Sequence, residues 1–242
     1  MPAVFVHGVP DTPAIWQPLI GQLARRDVVT LALPGFGNKR PAGFVPDKDS
    51  YAQWLVDQLS RIDGPIDLVG HDWGALLVIR AVTLKPVSFR TWCTGGAPLN
   101  PNYVWHDTAQ TLQTPGKGEQ LMANFSGEPV VQRLMAQGQP EAMARATVGL
   151  VDDEMKRCIL ALYRSAVFVG RGAWYEGLKP ITAPGLVLWG EKDAYATVKE
   201  GQTLALETRA RFKLLAGCGH WYQAQDPAAT ASALEEHWAK AS

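Results

Sequence analysis

The chain has 242 residues, 23 basic and 23 acidic side chains, and a formal net charge of zero. That balance removes any electrostatic reason to expect nucleic acid or an anionic membrane as a partner. A content of 47% hydrophobic and 19% charged residues excludes a disordered or fibrous chain. The three cysteines, Cys93, Cys158 and Cys218, are far apart with no C-x-x-C spacing, so neither a disulfide framework nor a zinc site is expected, and a reducing compartment fits better. After Met1 comes a short apolar run without a basic leader, and no membrane-length apolar stretch follows. The expectation is a cytoplasmic protein with no signal peptide or membrane span. Nine tryptophans are a rich share for this length, and core packing is the plain expectation for most of them.

Residues 3–7 are apolar and β-branched and end at Gly8, predicting a first strand. Residues 13–25 carry Ile15, Trp16, Leu19, Ile20 and Leu23 at helical spacing, and 27–33 predict a buried strand. Three glycines and two prolines make 34–43 a loop. Residues 49–62 predict an amphipathic helix, 66–69 a short buried strand, 75–84 a helix and 88–94 a further strand. From 98 to 180 there are helical patterns and Gly/Pro stops but no clear strand. The rhythm resumes with strand 185–189, helix 198–207, strand 211–215 and helix 227–239. Short apolar runs alternating with helices predict an α/β fold, with a mostly parallel sheet of about six strands flanked by helices. Its core is expected at 1–97 and 181–242, with a helical cap inserted at 98–180. Such a lid excludes water from a site at the strand ends.

The strongest local signal is Gly70-His71-Asp72-Trp73-Gly74, between a strand and a helix. Glycines at both ends permit a sharp, strained turn that thrusts the central side chain out above the sheet. Its centre is an aspartate, and a carboxylate can attack a saturated carbon to form an ester on the enzyme. His7-Gly8-Val9-Pro10 follows the first strand, where the N–H of Val9 would join that of Trp73 in an oxyanion hole. Gly190-Glu191-Lys192-Asp193 leaves another strand, placing Asp193 to orient a histidine. Gly219-His220 leaves the last strand, making His220 the base. The order Asp72, Asp193, His220 is nucleophile, acid, histidine. His7 and His71 are expected to support their turns, His106 lies in the lid within reach of substrate, and His237 is expected to be solvated at a helix end.

On these residues the sequence resembles the α/β-hydrolase superfamily, and within it the aspartate-nucleophile branch of epoxide hydrolases and haloalkane dehalogenases. The likeness is carried by His7-Gly8-Val9-Pro10, Pro34-Gly35-Phe36-Gly37, the Gly70–Gly74 frame, Gly190 to Asp193, and Gly219-His220. Members usually begin with two strands ahead of the His-Gly strand. The resemblance therefore implies a shortened sheet without those N-terminal strands, whose exposed edge makes a homodimer an option beside a monomer. Epoxide hydrolases resemble one another in two lid tyrosines that hold the epoxide oxygen. Tyr163-Arg164 resembles one such pair. The other tyrosine's position, ahead of Gln113-Thr114-Pro115-Gly116, holds Thr108, with Tyr103 and Tyr175 as alternatives. Haloalkane dehalogenases resemble one another in binding halide through the indole after the nucleophile. Trp73 stands there, with Trp105 and Trp174 available in the lid. No arginine follows the nucleophile, which disfavours a haloacid substrate.

The resemblance thus implies an epoxide hydrolase working through a covalent alkyl-enzyme ester on a small apolar substrate, with no cofactor and no metal. Asp72, Asp193, His220 and Tyr163 are the expected catalytic residues, Val9 and Trp73 the oxyanion hole, and Tyr103, Trp105, Thr108 and Tyr175 the substrate-binding candidates. A haloalkane dehalogenase with the same triad is the alternative. A silent ligand binder or an esterase is a weaker one.

Overall fold

The computed structural model describes residues 1–179 and 181–241; Pro180, the last residue of the expected cap, and Ser242 lie outside the described residues. The chain runs β1 (Ala3–Val6), a 3-10 turn (Pro13–Trp16), α1 (Gln17–Ile20), β2 (Val28–Leu31), α2 (Lys48–Leu59), β3 (Ile66–His71), α3 (Trp73–Leu84) and β4 (Phe89–Gly95). Six helices follow: α4 (Asp107–Gln113), α5 (Lys117–Ala123), α6 (Gly127–Ala136), α7 (Glu141–Leu150), α8 (Asp153–Ser165) and α9 (Ala173–Glu176). Then come β5 (Gly185–Gly190), α10 (Val198–Thr208), β6 (Arg211–Leu215), α11 (Tyr222–Gln225) and α12 (Pro227–Lys240).

The six strands form one sheet in the order β2-β1-β3-β4-β5-β6, and every pairing is parallel. β1, β3 and β5 are buried along their whole length. Such continuous burial is what helices on both faces of a parallel sheet impose. Two expectations are corrected. The strand at 27–33 is only half-buried, because β2 is the sheet edge. The helix expected over 13–25 breaks into the 3-10 turn and one α turn, since Pro13 and Pro18 lack the N–H that a continuous ladder needs.

The strand order reverses between β1 and β3, and the loops leaving those two strands part at their carboxyl ends. This is the crevice where open α/β sheets place ligands. Between β4 and β5 the described residues hold only helices. In that block α8 buries Met155, Cys158, Ile159, Leu162 and Tyr163, an i, i+3, i+4, i+7, i+8 stripe that faces the rest of the molecule. Asp152 caps α8 by accepting the Met155 N–H at 2.8 Å. The three cysteines are free and buried. No helix among the described residues is long and apolar enough to cross a membrane.

Candidate active site

Asp72 sits on the turn between β3 and α3 with φ 53° and ψ −125°, a region that costs about 1–3 kcal/mol for a residue carrying a Cβ. Close packing enforces the turn. A Cβ on Gly74 would lie 2.1 Å from the Val6 carbonyl oxygen, and one on Gly70 would lie 2.3 Å from the Gly74 carbonyl oxygen. A Cβ on Gly8 would meet Asp72 Oδ1 at 2.2 Å. With these glycines, the Val9 N–H reaches Asp72 Oδ1 at 2.7 Å, and the Trp73 N–H also serves the carboxylate. Both N–H groups expected of the oxyanion hole thus converge on this side chain.

Asp193 and His220 leave β5 and β6. His220 Nδ1 stands 2.9 Å from Asp193 Oδ2, and His220 Nε2 stands 3.7 Å from Asp72 Oδ2. Asp193 Oδ1 accepts the N–H of Tyr195 at 2.8 Å and of Ala196 at 3.2 Å, which fixes its orientation. Burial would push the His220 pKa down, but the negative charges of Asp193 and Asp72 outweigh it and raise the value to about 10. Burial acts to raise Asp72 as well, yet the attraction of His220 holds its carboxyl below the usual range. Two carboxylates around one imidazole therefore keep each other ionised.

The cavity above Asp72 encloses about 630 Å³ of empty space, part of it continuous with solvent. Tyr163, Thr108, His106 and His220 line it together with the apolar side chains Leu112, Met122 and Ile159. A smaller recess beside it is lined by Asp72, Trp73, Tyr103, Trp105 and Tyr163. Tyr163 is buried edge-on against Trp73, with ring centroids 5.4 Å apart, and the Trp73 indole acts to lower its pKa against the larger effect of burial. Burial, reinforced by the charge of Asp72, pushes the Tyr163 phenol well above its ordinary pKa. Trp105 stacks on Trp73 at 6.0 Å, but its own N–H goes to the Ala166 carbonyl at 3.2 Å. The Tyr103 hydroxyl lies 3.4 Å from the Tyr195 carbonyl oxygen. Tyr175 is not part of the group, because it hydrogen-bonds Glu207 on α10 and lines neither space. His237 is buried rather than solvated, against the Trp92 carbonyl at 3.2 Å, because α12 turns that face onto β4.

Several site residues escaped the sequence reading. Asp11 is buried one residue beyond the His7–Pro10 motif. It accepts hydrogen bonds from the Trp221 indole at 3.0 Å and from Gln139 at 3.3 Å, and burial raises its pKa to about 7. Tyr195 packs its ring on His220, at 4.7 Å, and on His106, at 4.8 Å, while its hydroxyl donates to Gln137 at 2.5 Å. Only the position of Asp11 beside a motif offered a signal. Arg133 lies in α6, and Gln137 and Gln139 in the loop that follows it, with no local mark of their role.

Residues 3–233 match the sequence model of the alpha/beta hydrolase family. Among characterised proteins the chain is similar to an (E)-2-((N-methylformamido)methylene)succinate hydrolase of Acinetobacter baylyi. The two are 23% identical over 200 residues, which span 82% of this chain and 74% of the relative. Among solved structures it is similar to the haloalkane dehalogenase DbeA from Bradyrhizobium elkani. There the TM-score is 0.77 and the identity 21%, over 99% of this chain and 91% of the dehalogenase. It is also similar to a thermophilic esterase from Thermogutta terrifontis, with a TM-score of 0.79 and 18% identity over 100% and 90% of the two chains. At such identities the structural likeness is one of fold.

Proposed function

The chain belongs to the α/β hydrolase family, and from that premise we propose that it opens an epoxide through an alkyl ester on Asp72 and hydrolyses that ester to a vicinal diol. The observation that carries the reading is the placement of the Tyr163 phenol. It lines the same cavity as Asp72, edge-on to Trp73, and burial beside the charge of Asp72 keeps its proton on, available to a leaving oxygen. A halide-binding site would need free N–H donors. The indole of Trp105 is engaged with Ala166 and that of Trp174 with Asp49, which leaves no lid indole to pair with Trp73. This engagement supports an oxygen rather than a halide as the leaving group.

In this mechanism the helical block 98–180 serves as the cap that keeps bulk water out. An Asp72 oxygen attacks one epoxide carbon, the C–O bond breaks, and Tyr163 supplies a hydrogen bond and then a proton to the leaving oxygen. Once the ester has removed the charge of Asp72, protonated His220 gives its proton to the Tyr163 phenolate. The neutral imidazole, held by Asp193, then takes a proton from water, and the resulting hydroxide attacks the ester carbonyl carbon. The N–H groups of Val9 and Trp73 hold the oxyanion that forms there. The adduct collapses with its hydroxyl proton passing to the departing oxygen, which releases the diol and restores the Asp72 carboxylate beside protonated His220.

The test pairs Asp72→Asn with His220→Gln on styrene oxide. The first variant is expected to form no adduct. The second is expected to stall as a covalent ester, seen as a mass increase equal to the epoxide on the intact protein. Normal turnover by His220→Gln, or halide release from 1-haloalkanes with no diol from epoxides, overturns the reading.

A further inference from the structure

Arg133 lies in the last turn of α6 and lines the cavity that holds Asp72. Apart from Asp72 and His220 it is the only charged side chain among the described residues lining that cavity. The other arginines of the helical block behave differently. Arg145 pairs with Glu128 and Glu141, Arg157 with Glu154, and Arg164 with Glu119. Arg171 lies over Phe168, away from this cavity. No carboxylate among the described residues comes within ion-pairing distance of Arg133. Its guanidinium instead lies over the Phe125 ring, 5.7 Å from the centroid. That contact engages the guanidinium face and leaves its N–H edge for a ligand. The charge is also felt at the polar wall beside it, where it acts to lower the pKa of the Tyr195 phenol against the larger opposing effect of burial. The wall of the same cavity also carries the apolar side chains Leu112, Met122, Leu134 and Ile159.

We propose that the substrate carries a carboxylate on the end remote from its reacting carbon, and that Arg133 receives it. The apolar wall fits the body of such a molecule, and Asp72 meets the other end. A guanidinium fork matches a carboxylate with two parallel hydrogen bonds, and because Arg133 is exposed to solvent at the cavity the pair adds modestly. The proposal takes from the preceding reading only that the reacting carbon sits at Asp72. It is independent of whether oxygen or halide leaves.

The experiment measures calorimetric binding of 4-phenylbutyrate and its neutral counterpart 4-phenylbutanol to the wild type, Arg133→Gln and Arg133→Lys. The wild type is expected to prefer the carboxylate by about two- to fivefold, as for a solvent-exposed ion pair. Arg133→Gln should lose that preference, Arg133→Lys should keep part of it, and the alcohol should bind all three alike. A wild type without the preference, or an Arg133→Gln variant that weakens both ligands by one factor, overturns the proposal. The same comparison is then made on kcat/KM for neutral and carboxylated epoxides and haloalkanes. If the binding preference holds while no epoxide reacts, the anion subsite stands and the epoxide reading falls.

Discussion

Asp72 and His220 form a coupled pair whose state changes during the proposed reaction. Part of what raises the His220 pKa is the charge of Asp72. Esterifying Asp72 removes that charge, so the imidazole becomes easier to deprotonate at the step where a base is needed. The same physics predicts that Asp72→Asn moves the His220 titration midpoint, followed by 15N NMR of the ring, below that of the wild type. An unchanged midpoint would show that the two side chains are not coupled. At this scale the five residues that the structure gathers around the Asp72 carboxylate were placed by the sequence. Asp72, Val9, Trp73, Asp193 and His220 all sit at strand ends, where local motif and position coincide. Asp11 was not legible, since its burial depends on Gln139 and Trp221, 128 and 210 residues away.

Among the elements, the β3–α3 turn shows how small residues determine geometry. Gly74 lets α3 begin against the backbone of β1, so Gly74→Ala is expected to destabilise the protein by about 3 kcal/mol or more, because the obstructing atom is backbone and cannot rotate away. Gly149 in α7 has nothing within 4 Å of a built Cβ. There Gly149→Ala is expected to stabilise by about 0.5–1 kcal/mol through helix propensity. Urea unfolding of both variants checks the contrast, and equal effects would contradict it. The positions of β1, β3 and β5 were readable to within two residues, because buried parallel strands leave short apolar runs, and β4 and β6 match as closely although β6 is the largely exposed far edge. The helix expected at 13–25 failed because apolar spacing is blind to the missing N–H groups of Pro13 and Pro18.

For the whole molecule, buried ionisable groups set the dependence of stability on pH. Burial lowers the pKa of His7 to about 4 and of His71 to about 3. The unfolded chain takes up those protons below about 6.5 and the folded one does not, so stability falls on acidification. Asp11, raised to about 7, acts in the opposite sense, its contribution being lost as the pH rises from about 3.8. Between about pH 4 and 6.5 the unfolded state therefore binds about one proton more from these three groups, a slope of about 1.4 kcal/mol per pH unit. His106 and His237, also lowered mainly by burial, add to it. His220 works on the other side. Its folded pKa is raised to about 10, so its stabilisation is complete below about 6.5 and is lost as the pH rises through 10. The urea midpoint is expected to peak near neutrality and fall on both sides. A midpoint that rises steadily toward pH 4 would contradict this assignment.

By itself the sequence determined the parallel α/β framework and the strand ends that bring Asp72, Asp193 and His220 together, the residues proposed as nucleophile, acid and base. These follow from apolar runs and glycine placement, which act over a few residues. Only the tertiary structure decided which aromatic side chains meet Asp72. It brings Tyr163 to the cavity and turns Tyr175 away to Glu207, engages the indole of Trp105 with Ala166, and sets Arg133 against Phe125 on the cavity wall. Those outcomes depend on how the helices between β4 and β5 pack over the sheet. Helical periodicity shows which face of a helix is apolar, but not which distant side chain that face will meet.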